Sequence, residues 1–507
     1  MQKSLKWIRV ALALIIFIAI TLFFTYTKSI VPAWLLKTQF VPSVMALFAG
    51  GGVAFILLVL LTILFGRLYC SVLCPMGVFQ DIVRRVANIF KKKKSRRTHF
   101  TKERKWLRIV VLVLILIPVF FGSVYLLTFT DPYSNWGRIS SQLVGGSIQY
   151  VSNLLSSTFP SHIYYRPFAN LALGSFIFTI VVFLIVLIMS ALKGRLYCNT
   201  ICPVGTILGY TSKFSMFKMS IDKEKCKGCD VCSKSCKSYC IDGKNKYIDD
   251  SRCVVCFDCI RECKQDAISF KFAWKKNKSS KEDGAPVNQG RREAISAISL
   301  FAAAVATRAF TKEKAHKGEY EITGIVPPGG KGIMHLKKHC TACHACIAAC
   351  PNKIIKPATG EYKAAGLSGF MLPVITYSHH FCAYDCNECA KVCPNGALIP
   401  LLLEEKKLTQ IGKVRFYPGR CVVRTDGTAC GACDEHCPTK AITMVPLKNG
   451  LTFPTVNTDI CIGCGGCEYI CPARPHAMVV QPSTIHAKAA PPPVDRQEKV
   501  SDLDFGF

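Results

Sequence analysis

Cysteine spacing constrains this chain more tightly than any other feature. Of its 29 cysteines, 24 stand in six groups of four. Residues 226–236 read CKGCDVCSKSC and residues 253–263 read CVVCFDCIREC, each C-x2-C-x2-C-x3-C. Three thiolates so spaced wrap one face of an iron–sulfur cube, while the fourth turns away toward a neighbour. Cys226, Cys229, Cys232 and Cys263 are therefore expected on one [4Fe-4S] cluster, and Cys253, Cys256, Cys259 and Cys236 on a second. Structural zinc also takes four thiolates, but seldom from so tight a triple. Cys240 is left over as a spare thiol.

Four more groups follow: CTACHACIAACP (340–351), CAYDCNECAKVCP (382–394), CVVRTDGTACGACDEHCP (421–438) and CIGCGGCEYICP (461–472). Their cysteines are Cys340, Cys343, Cys346 and Cys350, then Cys382, Cys386, Cys389 and Cys393, then Cys421, Cys430, Cys433 and Cys437, then Cys461, Cys464, Cys467 and Cys471. With the first two groups they make six [4Fe-4S] sites. Spacing permits the four groups to pair in chain order or nested, and the stretched first gap common to the inner two favours nesting. CTACH also fits the C-x-x-C-H signature of covalent haem. That reading would strand Cys346 and Cys350, so His344 is expected as a polar neighbour of a cluster or a surface residue. His379 and His380 are expected to face solvent.

Four apolar runs approach or exceed the roughly 20 residues that cross a hydrocarbon core: Val10 to Phe24 with its flanks, Val44 to Phe65, Leu107 to Phe129 and Leu171 to Leu192. The net charge of +32 is concentrated. Residues 84–108 form a dense basic block, whereas Thr130 to Asn170 holds only Arg138 and Arg166. This asymmetry follows the positive-inside rule and places the N-terminus and residues 193–290 in the cytoplasm. Topology and anionic lipid thus account for the charge, and nucleic acid is excluded as a partner.

GRLYCSVLCPMG (66–77) recurs as GRLYCNTICPVG (194–205), each after an apolar run. The copies suggest a duplicated unit. Packed about a pseudo-twofold axis, Cys70, Cys74, Cys198 and Cys202 would converge and suffice for one further iron–sulfur cluster. A redox-active dithiol pair, or structural cysteines at tight helix ends, remain open alternatives. Arg67 and Arg195 are expected to contact lipid phosphate.

The segment 288–310, NQGRREAISAISLFAAAVATRAF, follows a hydrophilic linker and is similar to a twin-arginine export signal at Arg291-Arg292. It is expected to form a fifth span over residues 294–308, the alternative being a buried or amphipathic helix. Residues 311–507 would then be periplasmic. The domains expected are 1–212, a membrane helical bundle; 213–275, a two-cluster ferredoxin; 276–310, linker and fifth span; 311–480, a four-cluster ferredoxin; and 481–507, a disordered tail. The fold class is a membrane α-helical bundle with two α+β ferredoxin-like iron–sulfur domains.

On these motifs, residues 1 to about 275 resemble the NapH-type membrane protein of the periplasmic nitrate reductase system. Residues about 288 to 480, with PPGG at 327–330 before the first cysteine group, resemble its NapG-type ferredoxin. The resemblance implies a quinol dehydrogenase that takes electrons from the membrane quinone pool and relays them to a separate redox partner outside. Tyr133, Trp136 and Arg138 in DPYSNWGR are candidates for lining a quinone pocket, interfacial anchoring being the other reading. The membrane half also resembles copper-oxidase maturation factors and nitrous-oxide regulators, which implies metal-ion reduction as the alternative function.

Overall fold

The computed structural model describes residues 4–25, 31–48, 52–92, 98–121, 123–158, 172–273, 323–362, 369–447 and 450–493. The expected fifth span, with Arg291 and Arg292, lies outside the described residues.

Two helices, Leu5–Thr25 and Leu173–Lys193, are long and apolar enough to cross a membrane. Each has 21 residues, about 31 Å of helix. Their outer faces expose Ile15, Ile18, Ile177 and Ile188, which suits lipid rather than water. The other two expected spans are each broken. Val44 to Phe65 divides into Phe40–Phe48 and Val53–Phe65, with Gly50, Gly51 and Gly52 in the sequence between. Leu107 to Phe129 divides into Lys105–Phe120 and Tyr125–Thr130, the first carrying Pro118 two residues from its end. Hydropathy averages across such breaks, whereas glycine entropy and the missing proline N–H act at single residues.

The helices obey the repeat. Pro75–Phe90 and Pro203–Ser212 both start at the proline of C-x3-C-P, where proline's fixed φ and absent N–H suit the first turn. Leu5–Thr25 packs on the first as Lys105–Phe120 packs on the second. The helix preceding each motif packs on the Pro-started helix of the other half: Leu173–Lys193 on Pro75–Phe90, and Val53–Phe65 on Pro203–Ser212. The halves are thus clasped across a pseudo-twofold axis.

A small ferredoxin domain caps one end. Its strands Phe217–Ile221 and Ile268–Phe272 pair antiparallel, Met219 opposite Phe270, around short helices Val231–Ser235 and Asp258–Glu262. It is seated by Met216 N donating to Ile63 O at 2.7 Å and by Phe65 stacking on Phe217. Residues 323–493 form the second ferredoxin domain, in which Thr409–Phe416 pairs with Met478–Lys488. Residues 481–488 are therefore strand and not the start of a disordered tail. Inward Met478 and Val480 anchor them, a signal the following Pro-rich segment obscures.

The two ferredoxin domains sit at opposite ends of one helix. Gly174, near the start of Leu173–Lys193, lies against Phe370 and Thr359 of the second domain, and Gly194, just past its end, lies against the Lys237 carbonyl of the first.

Candidate functional site

Four of the six ferredoxin groups share one backbone path. The residue after the second cysteine is left-handed in each (Asp230, Phe257, His344, Gly465), a short helix follows, and the fourth cysteine closes it in extended conformation. Non-glycine residues seldom take positive φ, and β-branched ones least of all. Val255 nevertheless sits at +50° and Ala342 at +49°, because the loop must curl three thiols toward one point. Curling also turns N–H groups onto sulfur: Ala342 N donates to Cys340 Sγ and Leu398 N to Cys393 Sγ at 3.3 Å, and Ala441 N to Cys437 Sγ at 3.2 Å. Pro351, Pro394, Pro438 and Pro472 follow the fourth cysteines and hold them extended. The two stretched groups enter their helices from Asn387 and Gly431 without the left-handed step.

The quartets interleave. Cys236 faces Cys256 and Cys259, and Cys263 shares a small core with Cys232. In the second domain Cys393 joins Cys340, Cys343 and Cys346, while Cys350 joins Cys382, Cys386 and Cys389. Cys471 lies with Cys421, and Cys437 with Cys461, Cys464 and Cys467. The pairing runs in chain order, first with second and third with fourth, which overturns the nested expectation. The reason is local. Helix Ala345–Ala349 packs on Glu388–Lys391, and Ala432–Glu435 on Gly466–Ile470, so the stretched gaps are absorbed in loops before the helices and carry no pairing information. The two pairs meet where Cys382 N donates to Cys464 O at 2.9 Å.

Burial and neighbouring negative groups push the Cys256 thiol up to about 12, and burial does the same to Cys464, to about 12. Such crowded thiolates need compensating positive charge. Among the described residues no three Cys, His, Asp or Glu side chains close on a point that a single ion would occupy. A cube that offers a separate iron to each thiol fits this donor set, and the N–H groups aimed at sulfur are the usual means of adjusting its potential.

The C-x3-C-P cysteines converge as the repeat implies. Cys70, Cys74, Cys198 and Cys202 are all buried, in one core and within electrostatic reach of one another. The arginines do not contact lipid: Arg67 and Arg195 are fully buried and cross the axis. Arg67 Nη2 donates to Cys198 O at 3.2 Å, and Arg195 Nη1 to Cys70 O at 2.5 Å. A Cβ on Gly77 would lie 2.2 Å from Cys70 O and one on Gly205 2.1 Å from Cys198 O. The arginine pattern was visible in sequence, but its direction depended on the opposite half. Gln80, which donates to Cys198 Sγ at 3.1 Å, had no sequence signal.

Asp81 is the largest omission of sequence reasoning. It takes Arg195 Nη2 and Lys237 Nζ, both at 2.6 Å, and Arg9 at 3.4 Å. Against burial, which would raise it, these cations hold its carboxyl below the usual range. Cys240, expected as a spare thiol, is buried with its sulfur 3.5 Å from Cys236 Sγ and against Cys253.

At the other end, Asp131 caps helix Pro132–Arg138 through Ser134 N at 2.8 Å, a cap worth about 1 kcal/mol. Ser134 Oγ reaches Thr341 Oγ1 at 2.9 Å, and a Cβ on Gly137 would lie 2.3 Å from Cys343 O. Tyr133, Trp136 and Arg138 are buried here, in the seat of the second ferredoxin domain. They line neither the cavity of about 550 Å³ beside Asp81 nor the one of about 420 Å³ beside Phe370. His344 is buried, with Nδ1 3.4 Å from Ser141 Oγ, so it is a cluster neighbour and not a surface residue.

A family model described as a 4Fe-4S binding domain matches residues 47–97 and 175–222, and one described as a 4Fe-4S dicluster domain matches residues 339–423 and 428–474. Ferredoxin-type protein NapF of Escherichia coli (strain K12) is 30% identical over 149 residues, 29% of this chain and 80% of NapF. NapG of the same organism is 32% identical over 174 residues, 31% of this chain and 71% of NapG. The methylamine utilization ferredoxin-type protein MauM of Methylobacillus flagellatus is 30% identical over 167 residues, 32% of this chain and 69% of MauM. No solved structure matches. With its cysteine groups folded as ferredoxin quartets, the chain belongs to the family of ferredoxin-type iron–sulfur proteins that includes NapG.

Proposed function

We propose that this protein is a membrane-bound quinol dehydrogenase component that relays single electrons from one side of the bilayer to a separate redox partner on the other. The observation that carries the reading is the placement of two ferredoxin domains at opposite ends of a helix long enough to cross a membrane. Four spans, two of them broken, hold the duplicated unit, with the first ferredoxin domain in the cytoplasm and the second in the periplasm.

Six [4Fe-4S] clusters are held by the six interleaved quartets, and a seventh by Cys70, Cys74, Cys198 and Cys202. The seventh site is supported by the 4Fe-4S family model, whose two matched segments contain only these four cysteines. Distance also favours it, since the hydrocarbon core is about 30 Å thick. The central quartet lies in one buried core with Cys343, with Cys256 packed against that core, and so bridges the two domains. Iron–sulfur clusters supply one-electron chemistry when bound. The chain's own residues bury them, direct N–H groups at their sulfurs and fix their order. Beyond the Cys340 quartet that order runs through the Cys382 and Cys461 quartets to the Cys421 quartet, where exposed Arg424, Asp426 and Thr428 mark the exit toward a partner.

Anaerobic elemental analysis of the purified protein is expected to find about 28 irons per chain with matching sulfide. Cluster bleaching on addition of naphthoquinol, with protease cleaving residues 323–493 only from outside sealed cells, completes the expectation. Reduction of metal ions without response to quinol would favour the maturation-factor alternative.

A further inference from the structure

We infer that the quinol is oxidised in a cavity of about 550 Å³ between helix Leu5–Thr25, helix Pro75–Phe90 and the first ferredoxin domain. This rests on the quinol reading above and gives it a place. The volume lies within the roughly 300–1,000 Å³ typical of small-molecule sites. The walls divide by character. Val10, Leu14, Ile82 and Val86 form an apolar side, while Arg9, Arg85, Asp81, Lys237 and Asp258 form a polar one. A ligand that fills both has an apolar body and a polar head. Leu14 and Val86 are 39% and 48% exposed, and Ile89 and Phe90 further along the same helix are more so. The apolar side thus opens toward lipid, where a quinol resides.

The polar side is bordered by redox sites in two directions. Lys237 follows Cys236 and Asp258 precedes Cys259, so the near quartet of the first ferredoxin domain stands directly behind them. Asp81 holds Arg195, whose other nitrogen bonds the Cys70 carbonyl of the central quartet. A quinol here breaks two O–H bonds and becomes quinone. Its two electrons would leave singly, to the clusters that the central quartet and the near ferredoxin quartet would hold, and its two protons would pass to water at the mouth. Five cationic side chains besides Lys237, among them Lys6, Arg84 and Lys234, outnumber the carboxylates of Asp81, Asp258 and Glu262, which favours the deprotonated head of the departing quinol. The first ferredoxin domain, off the direct line to the exit, thereby acquires a purpose. It holds the second electron until the first has moved on.

The test uses the full-length, cluster-loaded protein in lipid nanodiscs with menadiol as reductant and cluster absorbance as readout. Leu14→Trp and Val86→Trp narrow the lipid-facing side from exposed positions, and Arg85→Glu reverses charge at the rim. Each is expected to slow bleaching by menadiol about tenfold or more, while the extent of reduction by dithionite and the reduced-cluster EPR spectrum stay as in the parent. Parent-like menadiol rates in all three variants would overturn the cavity assignment and leave quinol oxidation standing at another site. A parent protein that dithionite bleaches and menadiol does not would overturn quinol oxidation itself, and the cavity with it. Native mass spectrometry that finds anionic phospholipid bound, lost in the same variants without change in menadiol rate, would make this a lipid site and also overturn the assignment.

Discussion

At position 81 the first C-x3-C-P unit carries aspartate, and 128 residues on, the second carries Gly209. The units agree at the glycine, arginine, tyrosine, both cysteines and the proline, and the two arginines each reach a cysteine carbonyl of the opposite unit. They differ where each meets the first ferredoxin domain. Asp81 binds Arg195 and Lys237, fastening one side of that domain by charge. Where its counterpart would stand, Gly209 leaves room for Arg108 and the Ser251 carbonyl, and Arg67 instead bonds Asn199 Oδ1 at 3.0 Å and Ser251 O at 2.9 Å. A symmetric pair seats an asymmetric domain by diverging at positions such as 81/209 and 71/199, while the shared centre stays fixed.

That comparison is most exposed to failure at its shared centre. Gly77→Ala and Gly205→Ala each drive a Cβ into a carbonyl of the motif and should each cost more than about 4 kcal/mol, read as loss of folded protein in thermal melts. Tolerance of one but not the other would end the claim of equivalent halves. Asp81→Asn should cost about 3 kcal/mol, since it leaves the buried Arg195 uncompensated and Lys237 with only Asp258 at 3.6 Å. Asn199→Ala, on the other side, should cost about 1 kcal/mol; equal losses would erase the asymmetry.

Acid provides a graded form of the Asp81 experiment. Its carboxyl is held low in the fold, so its contribution is complete above the unfolded value of about 3.9 and disappears as pH falls through the folded one. Hydrogen-exchange protection in strand Phe217–Ile221, taken relative to the intrinsic rate at each pH, should therefore hold steady between about pH 7 and 5 and fall only below about 4. Loss of protection near neutrality would assign the docking to other groups. The smallest effect concerns the paired tyrosines. Tyr69 accepts from Phe40 N at 3.0 Å and Tyr197 donates to Thr130 O at 2.7 Å, so each Tyr→Phe variant should lose about 1 kcal/mol in the same melts.

How far the sequence could be read follows the range of each interaction. The six cysteine groups were legible because cubane geometry imposes a short repeat, and the convergence of Cys70, Cys74, Cys198 and Cys202 because duplication implies symmetry. The order of pairing was not, since it depends on which helices pack, and loop lengths do not encode that. Tyr133, Trp136 and Arg138 stood out as polar and aromatic residues near an apolar run. Tyr133 is buried beside Cys343 and Arg138 beside Met371, both more than 200 residues away in sequence, and Trp136 is buried between Phe17 and Phe79. Asp81 resembled any acid on an amphipathic helix, its role arising only from Arg195 and Lys237. The packing of the Cys240 sulfur against Cys236 was not legible, because spacing describes bonds to iron and is silent about sulfur packed against sulfur.

The Leu173–Lys193 helix touches one ferredoxin domain at its first turn and the other just past its last. An α-helix answers a bilayer that is too thick or too thin by tilting, and its length hardly changes. On the membrane reading proposed above, both ferredoxin modules ride on the same rod, so a change of lipid composition would reorient the assembly as a whole. The gap between them would be set by a ladder of backbone hydrogen bonds and insulated from the thickness of the surrounding membrane.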